Sequence, residues 1–311
     1  MRRRKRRRLN WRNIIGLLLF IILIAGGIYG FTVYQSFNKA VATMHEPLEG
    51  KQQNKEIQQE ALTKKEPFSV LMLGVDEREG DSGRSDTMIV LAVNPTNQSI
   101  KMLSIPRDTR TEIVGKGTED KINHAYAFGG VSMAVDTTEK FLDIPIDYYV
   151  KINMEGFKDI VDTVGGIDME NEFAFTVDGV EFPAGKIHLS GEEALLYIRM
   201  RYDDPNGDFG RQERQRQVIQ AVIKEGASLS SLSKAPEIFQ AIGSNVKTNF
   251  TFEEMMEIQK NYKEAGRNIE QLTLQSEGKM IDEIYYGLVT IAEQMRIQDE
   301  LKSQLEIDIE H

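Results

Sequence analysis

Residues 68–107 read FSVLMLGVDEREGDSGRSDTMIVLAVNPTNQSIKMLSIPR and contain three short apolar runs separated by polar loops. Runs of this length that end at Gly, Asn or Pro are typical of buried β-strands. They predict strands over 68–75, 87–93 and 99–105. We expect these strands to run up, down and up again. The loop 76–86 and the residues that follow Ile105 then meet at one edge of a sheet.

The rest of the chain mixes helical and strand patterns. Periodicity and a capping-box sequence that begins at Ser190 predict further helices; these lie at 133–142, 154–164, 209–224, 252–265 and 281–296, with one more after Ser190. A strand is predicted over 148–152 and a hairpin over 177–187, around Asp178-Gly179. The chain has no internal repeat. The predicted fold class is α/β, with a mixed central β-sheet packed between helices in a single domain over 67–311.

A basic cluster and a long apolar run lie at the N-terminus. Residues 2–8 read RRRKRRR, and 14–34 carry no charge. A helix of this length spans about 30 Å, the thickness of a bilayer core, and basic residues beside such a span stay in the cytoplasm. The sequence therefore predicts a cytoplasmic tail (1–12), a transmembrane signal-anchor helix (13–35), a polar stalk (36–66) and an extracellular domain on the cell membrane. A cleaved signal peptide is the alternative, but no A-x-A-like site follows the apolar run.

The composition excludes several classes of function. Without the eight basic residues among the first 12, the chain keeps 30 of its 38 Lys and Arg against 48 Asp and Glu. Such an acidic domain is not expected to bind nucleic acid. The absence of cysteine excludes disulfides and thiolate sites. The sequence lacks the nucleotide P-loop and the esterase G-x-S-x-G motif, and its four histidines have no metal-ligand spacing.

Arginines beyond the apolar run are clustered, whereas lysines are spread along the chain. Nine of these eleven arginines lie within 78–110 and 199–216. Arginine presents a planar fork that binds phosphate at two points. This clustering indicates a specific oxyanion site.

The first cluster belongs to the predicted sheet edge. The side chains expected to converge there are Asp76, Arg78, Arg84, Asp86 and Arg107. Ligands of α/β proteins bind outside the carboxyl ends of strands. The alternative, that these loop residues only pair with one another, stays open on spacing alone. Asp76 and Asp86 are candidate Mg²⁺ ligands, although an Asp in a loop is more often a cap or turn residue.

The second cluster lies on and before the predicted helix 209–224. Arg211 and Gln215 fall on the apolar stripe that Val218 continues, whereas Arg214 falls at its margin and Arg216 is expected in solvent. Polar groups on a buried stripe need partners, either a bound anion or a salt bridge.

Arg199 and Arg201 precede that helix. They share one face if the chain is extended there, and this alternation fails if the preceding helix continues through them.

Several motifs together resemble the LytR–CpsA–Psr family, in particular its wall teichoic acid transferases. They are GVDER (74–78), GRSDTM (83–88), SIPRDTR (104–110), KINHAYAFGG (121–130), VGGID (164–168), YIRMR (197–201) and GDFGRQERQ (207–215). The resemblance covers residues 68–219 in order, and the single N-terminal anchor also matches. The helical remainder fits the family's domain length, with no added C-terminal domain.

The resemblance implies a membrane-bound phosphotransferase. Such an enzyme moves a glycopolymer from undecaprenyl pyrophosphate to the C6 hydroxyl of N-acetylmuramic acid in peptidoglycan, and undecaprenyl phosphate leaves. The implied cofactor is Mg²⁺, with Mn²⁺ as an alternative, near Asp76 and Asp86. The implied pyrophosphate-binding residues are Arg84, Arg107, Arg199, Arg201, Arg211 and Gln215. Of the implied site residues, Arg107, Arg199, Arg201 and Asp86 are the expected catalytic residues. Arg78 and Arg110 match less decisively, and Arg214 and Arg216 receive no role.

Two other functions use the same residues. A polyprenyl-pyrophosphate hydrolase would take water as the acceptor, and a lipid-binding or regulatory cell-wall protein would carry out no reaction. The sequence does not identify the polymer, the general base, the residues of a lipid groove or the oligomeric state.

Overall fold

The structure, a computed structural model, describes residues 11–48, 55–75, 83, 85–200, 204–205, 207–226, 240, 243 and 245–308. The helices within these ranges are α1 (Trp11–Met44), α2 (Lys55–Lys64), α3 (His124–Leu142), α4 (Met154–Val164), α5 (Gly191–Arg199), α6 (Asp208–Gly226), α7 (Phe252–Asn261) and α8 (Ile291–Leu305). The strands are β1 (Phe68–Val75), β2 (Ser85–Asn94), β3 (Ser99–Ile105), β4 (Arg110–Ile113), β5 (Thr118–Lys121), β6 (Tyr148–Asn153), β7 (Ile167–Asn171), β8 (Phe175–Val177), β9 (Val180–Phe182), β10 (Gly185–Leu189), β11 (Val246–Thr248), β12 (Ile269–Thr273), β13 (Glu277–Ile281) and β14 (Ile284–Leu288).

Six strands form a mixed central sheet in the order β11-β6-β1-β2-β3-β12. β2 pairs antiparallel with both β1 and β3, so the predicted up-down-up arrangement is confirmed. β6 lies parallel to β1, and β12 lies parallel to β3. The carboxyl ends of β1, β3, β6 and β12 therefore share one edge with the start of β2. The predicted α/β class with a mixed central sheet is confirmed.

Both faces of this sheet are buried, which explains why its strands are apolar along their whole length. On one face, Leu71 and Leu103 belong to a core that also holds Val135 of α3 and Leu301 of α8. On the other face, different side chains form a second core, made of Leu62, Phe68, Val70, Val93, Tyr148, Phe250, Tyr262 and Ala265. The sheet thus lies between helices, as predicted.

A third core joins α4, α5 and α6 to the small strands β7–β10. Its buried members include Val161, Phe182, Tyr197 and Val218. This body carries α6 past the sheet edge. The predicted helix 154–164 and the turn at Asp178-Gly179 are confirmed, and both turn residues have positive φ, as a tight hairpin turn requires. β10 pairs with β7, so it is not a strand of that hairpin.

A further predicted element is corrected by the structure. The helix predicted over 281–296 is wrong: a β13–β14 hairpin occupies 277–288, and α8 begins only at Ile291. The segment 36–66, predicted as a polar stalk, is partly helical in its described parts and contributes side chains to the cores. Val41, Leu48 and Leu62 are buried in the cores, because apolar residues interrupt the polar pattern there.

The first helix includes the apolar run 14–34. Among the helices of the described ranges, none is both long and apolar enough to cross a membrane. The transmembrane segment therefore stays a prediction.

The capping box that begins α5 forms as predicted. Ser190 Oγ accepts from the Glu193 backbone N–H at 3.4 Å, and the Glu193 carboxylate accepts from the Ser190 backbone at 2.9 Å. The hydrogen bond from the Ser190 hydroxyl, followed by that from its backbone, holds the pKa of Glu193 below its usual value.

Ser190→Ala is expected to lower the free energy of unfolding by about 1 kcal/mol, because α5 loses its cap. A group with a lowered folded pKa stabilises the protein above its ordinary pKa, and the effect is lost as pH falls through the folded value. The difference between Ser190→Ala and wild type should therefore shrink as pH falls below about 4.3, the ordinary Glu pKa. Thermal midpoints in detergent measure this, with Ser190→Gly as a milder control. Equal midpoints of Ser190→Ala and wild type at neutral pH would contradict the prediction.

Candidate active site

The sheet topology brings Asp86 and Arg107 together. Asp86 is the second residue of β2, and Arg107 follows β3 by two residues. Because β2 and β3 are antiparallel neighbours, these positions meet at the same edge. Arg107 Nη1 donates to Asp86 Oδ1 at 2.7 Å. Asp86 and Arg107, which the strand pattern predicted at one sheet edge, therefore form an ion pair there.

The helix α6 places two further predicted residues beside this pair. A small polar pocket is lined by Asp86, Ser104, Arg107, Arg211 and Gln215, together with neighbouring residues of β2 and β3. Arg211 is buried, as its position on the stripe of Val218 requires. Two guanidinium groups, one carboxylate and one amide therefore line the same pocket. Guanidinium groups bind phosphate oxygens, and a carboxylate binds a cation associated with the phosphate.

Arg199 is not among the residues that line this pocket. It is the last residue of α5 and is exposed. The helix α5 continues through 197–199, so the helical alternative holds at Arg199 and the extended one fails. Tyr197 is buried instead, because the helix turns it into the third core.

Four candidate residues lie outside the described residues: Asp76, Arg78, Arg84 and Arg201. Their assignments stay predictions.

The structure corrects the predicted position of Arg214 at the margin of the buried stripe of α6. Arg214 is buried rather than marginal, and it forms an ion pair with buried Asp204. Arg214 Nη2 donates to the Met200 carbonyl at 2.6 Å, and Nε donates to the Tyr197 carbonyl at 3.3 Å. Arg214 therefore holds the end of α5 and the start of the loop that follows it. The sequence missed this role because its partners come from another helix and loop.

Arg216 is not solvated, contrary to the prediction. Its side chain is 11% exposed, donates to Ser104 Oγ at 3.2 Å and pairs with Glu213. Ser104 is near the end of β3 and lines the polar pocket. The prediction failed because α6 packs against the sheet edge as well as against the third core, so it buries more than one stripe.

Two residues of the KINHAYAFGG motif, Lys121 and Asn123, help to hold Arg107 in position. Arg107 Nε lies 3.7 Å from Asp108 Oδ2, and Lys121 Nζ lies 2.6 Å from Asp108 Oδ1. The backbone N–H of Asn123 donates to the Arg107 carbonyl at 3.4 Å. Asp108 and Lys121 are thus positioning residues that sequence reasoning did not single out. Arg110 is directed elsewhere, since it pairs with Glu119 at 2.8 Å across the β4–β5 ribbon.

An apolar cavity of about 250 Å³ adjoins the polar pocket. This inner cavity is lined by Met72, Leu73, Gly74, Thr87, Ile89, Val150, Ile152, Asn153, Met154, Phe157, Ile160, Ile198, Gln215, Ile219, Val222 and Val246. Thr87, Ile89 and Gln215 line both spaces. The sequence did not identify the residues of a lipid groove, because the same apolar side chains could have been ordinary core.

The pocket offers a limited set of metal ligands. Within the described residues, no group of three or more His, Cys, Asp or Glu side chains could hold a metal ion. Mg²⁺ commonly takes only one or two carboxylates and completes its shell with water and substrate phosphates. The Asp86 side chain is 35% exposed beside the pocket, so it fits such a role.

Known proteins are similar to this chain over most of its length. The model of the LytR_cpsA_psr family matches residues 31–303. The polyisoprenyl-teichoic acid–peptidoglycan teichoic acid transferase TagU of Bacillus cereus is 52% identical over 304 residues, which cover 97% of this chain and 99% of that protein. The crystal structure of B. subtilis TagU is 50% identical, with a TM-score of 0.63, and covers 79% of this chain and 100% of that one. The structure of TagT bound to LI-WTA is 30% identical, with a TM-score of 0.65, and covers 79% and 93%. These relatives support a transferase role, and therefore an enzyme.

Proposed function

Because the chain belongs to the LytR_cpsA_psr family, we propose that it is a phosphotransferase that moves a glycopolymer from undecaprenyl pyrophosphate to peptidoglycan. The proposed polymer is wall teichoic acid, since relatives are named for teichoic acid transfer and TagT has been observed with LI-WTA. The proposed acceptor is the C6 hydroxyl of N-acetylmuramic acid. One observation carries the proposal: a pocket with two arginines opens beside an apolar cavity, so a charged head and an apolar tail have adjoining sites.

The charged and polar groups at the polar pocket are of the kind that binds a pyrophosphate. A pyrophosphate holds several negative charges in a small volume, and phosphoryl transfer requires that these charges be stabilised as the bonds change. Arg107 and Arg211 supply guanidinium groups from a strand end and from a helix, and each can bind oxygen atoms at two points. Asp108 and Lys121 fix the direction of Arg107 before substrate binds. Such preorganisation lowers the cost of positioning the reacting groups.

The proposed step forms one bond and breaks one. The acceptor hydroxyl oxygen attacks the phosphorus that bears the saccharide, and the bond from that phosphorus to the bridging oxygen breaks. The bridging oxygen leaves with undecaprenyl phosphate, and the hydroxyl proton passes to a base. Gln215 borders both the pocket and the inner cavity, so it lies where the charged head would join the lipid tail.

Mg²⁺ is the proposed cofactor, and Asp86 and Asp76 are its proposed carboxylate ligands, with Mn²⁺ as an alternative metal. When bound, the ion would neutralise charge on the phosphate oxygens.

Asp86→Asn is expected to raise the Mg²⁺ concentration needed for half-maximal transfer by about tenfold or more, because a neutral amide binds the cation less well. The matched control is Asp108→Asn, which should lower the rate through Arg107 but leave the Mg²⁺ requirement unchanged. The measurement is a Mg²⁺ titration of the transfer rate after chelation. An unaltered titration midpoint for Asp86→Asn would remove Asp86 from the metal site.

We propose that residues 14–34 anchor the protein in the cell membrane with the domain outside. The support is the RRRKRRR cluster and the apolar side chains that α1 exposes, Ile28, Phe31 and Tyr34. The chain has no cysteine, so Lys186→Cys, at an exposed position of β10, provides a single label site. A membrane-impermeant thiol reagent should label it on intact cells, and labelling only after lysis would refute this orientation.

The test of function is an assay of the full chain in lipid vesicles. We expect a lipid-pyrophosphate-linked saccharide to become attached to peptidoglycan when acceptor and Mg²⁺ are present. Release of free phosphorylated saccharide, with no attached product, would instead identify a hydrolase. An intact donor under all conditions would refute both reactions.

A further inference from the structure

A second apolar cavity, also of about 250 Å³, lies between α1 and the sheet. We call it the outer cavity. Its walls include Phe37, Ala40 and Met44 of α1, Val246 of β11, Phe250 and Met255. The outer and inner cavities are neighbours, because Val150 and Val246 line both of them. Their volumes add to roughly 500 Å³, within the range of about 300–1,000 Å³ that ligand pockets occupy.

The helix α1 is packed firmly enough to act as a wall. Val41 and Met44 are buried against Val246 in a separate apolar cluster. A Cβ added at Gly243 would lie 2.8 Å from the Ala40 Cα, so a larger residue there would push the helix away. The first helix and the domain thus share an interface at this cavity.

The outer cavity lies next to the proposed membrane surface. Phe37 and Met44 follow Tyr34, the last residue of the apolar run, by three and ten residues, or about 5 and 15 Å along the helix. Tyr34 is 53% exposed, and the ring centroids of Tyr34 and Phe37 lie 5.7 and 5.2 Å from that of Phe252. Aromatic side chains at this depth are typical of the membrane interface.

We propose that the outer cavity binds the distal part of the polyprenyl tail, so that the N-terminal helix completes the substrate site. This inference rests on the proposed function, which supplies a lipid donor. The order of the spaces supports it: the tail would pass from the membrane to the outer cavity, then to the inner cavity, and its pyrophosphate would reach Arg107 and Arg211. A short prenyl chain fills only the inner cavity, whereas a long chain needs both.

The adjacent methionines of α7 provide a matched test. Met255 lines the outer cavity, whereas Met256 is 45% exposed. Met255→Trp should reduce the space for the tail and lower kcat/KM for an undecaprenyl-linked donor by about tenfold or more, because the larger side chain excludes the distal tail from the cavity and removes its packing contacts there. The same variant should leave kcat/KM for a farnesyl-linked donor unchanged. Met256→Trp should affect neither donor. If Met255→Trp lowered kcat/KM equally for both donors, or for neither, the proposal would be overturned.

A binding measurement separates this inference from the proposed function. In the cysteine-free chain, Met255→Cys and Met256→Cys each give one thiol. Undecaprenyl pyrophosphate should slow the labelling of Cys at 255 but not at 256, and farnesyl pyrophosphate should slow neither. Protection at 255 supports the outer cavity even if wild type transfers no saccharide. Unchanged labelling at 255 overturns it even if wild type is an active transferase.

Discussion

Arg107→Ala is expected to lower kcat for transfer by about 10²- to 10³-fold, as the loss of one preorganised charged donor to a phosphoryl group typically does. Arg107 donates to Asp86 at 2.7 Å and lines the pocket with Arg211 and Gln215, so its removal takes a guanidinium from the proposed reacting centre. Arg107→Lys should recover only part of the rate, because an ammonium keeps the charge but not the two-point fork.

Arg110→Ala is the control for this variant. Arg110 lies three residues further along the chain, but its guanidinium pairs with Glu119 on the β4–β5 ribbon. Its removal should leave kcat within about twofold of wild type, because Arg110 is not among the residues that line the polar pocket. Initial rates at saturating donor, with thermal midpoints for each variant, separate a catalytic loss from unfolding. Wild-type kcat in Arg107→Ala would show that the pocket has been assigned wrongly.

Asp204→Ala is expected to lower the free energy of unfolding by about 3–5 kcal/mol, because it leaves the buried Arg214 without its carboxylate. The two side chains of this pair are 1% and 6% exposed. Arg214 also donates to the carbonyls of Tyr197 and Met200, so the end of α5 should loosen as well. Chemical unfolding in detergent measures the loss.

A matched surface pair and a double variant complete this test. Glu264→Ala removes the partner of Arg267, whose side chain is 68% exposed, and should cost less than about 1 kcal/mol. Asp204→Leu combined with Arg214→Met should be less destabilising than Asp204→Ala alone, because no charge then remains buried. A cost for Asp204→Ala as small as that of Glu264→Ala would contradict the buried-pair account.

Local sequence signals were sufficient for four of the six strands of the central sheet, β1, β2, β3 and β6, whereas β11 and β12 were not predicted. The apolar runs of 68–107 end at turn residues, and both faces of these strands are buried, so the pattern identifies them directly. The hairpin at 277–288 carries no such signal. Its turn, Asp282-Glu283, has positive φ at both residues but lacks the glycine that usually marks such a turn. The apolar residues of 281–296 therefore suggested one helix where a strand and a helix follow each other.

The pocket residues could be predicted where a single strand or helix determines their position. Asp86 and Arg107 follow from the strand ends, and Arg211 and Gln215 from the stripe of one helix. Arg214 and Arg216 were assigned wrongly because their partners, Asp204 and Ser104, are brought near by tertiary packing. A helical wheel shows one apolar stripe of α6, but it does not show that a second side of the helix packs against the sheet edge. The outer cavity required the same kind of knowledge, since α1 and β11 are far apart in the chain.

The central claim concerns which phosphorus atom is transferred. A lipid-linked donor whose two phosphorus atoms carry different isotopic labels, given to the full chain with Mg²⁺ and peptidoglycan, tests it directly. The account predicts that the saccharide-bound phosphorus enters the peptidoglycan linkage and that the lipid-bound phosphorus leaves as undecaprenyl phosphate. Recovery of both labels in soluble products, or of the lipid-bound label in peptidoglycan, would contradict it.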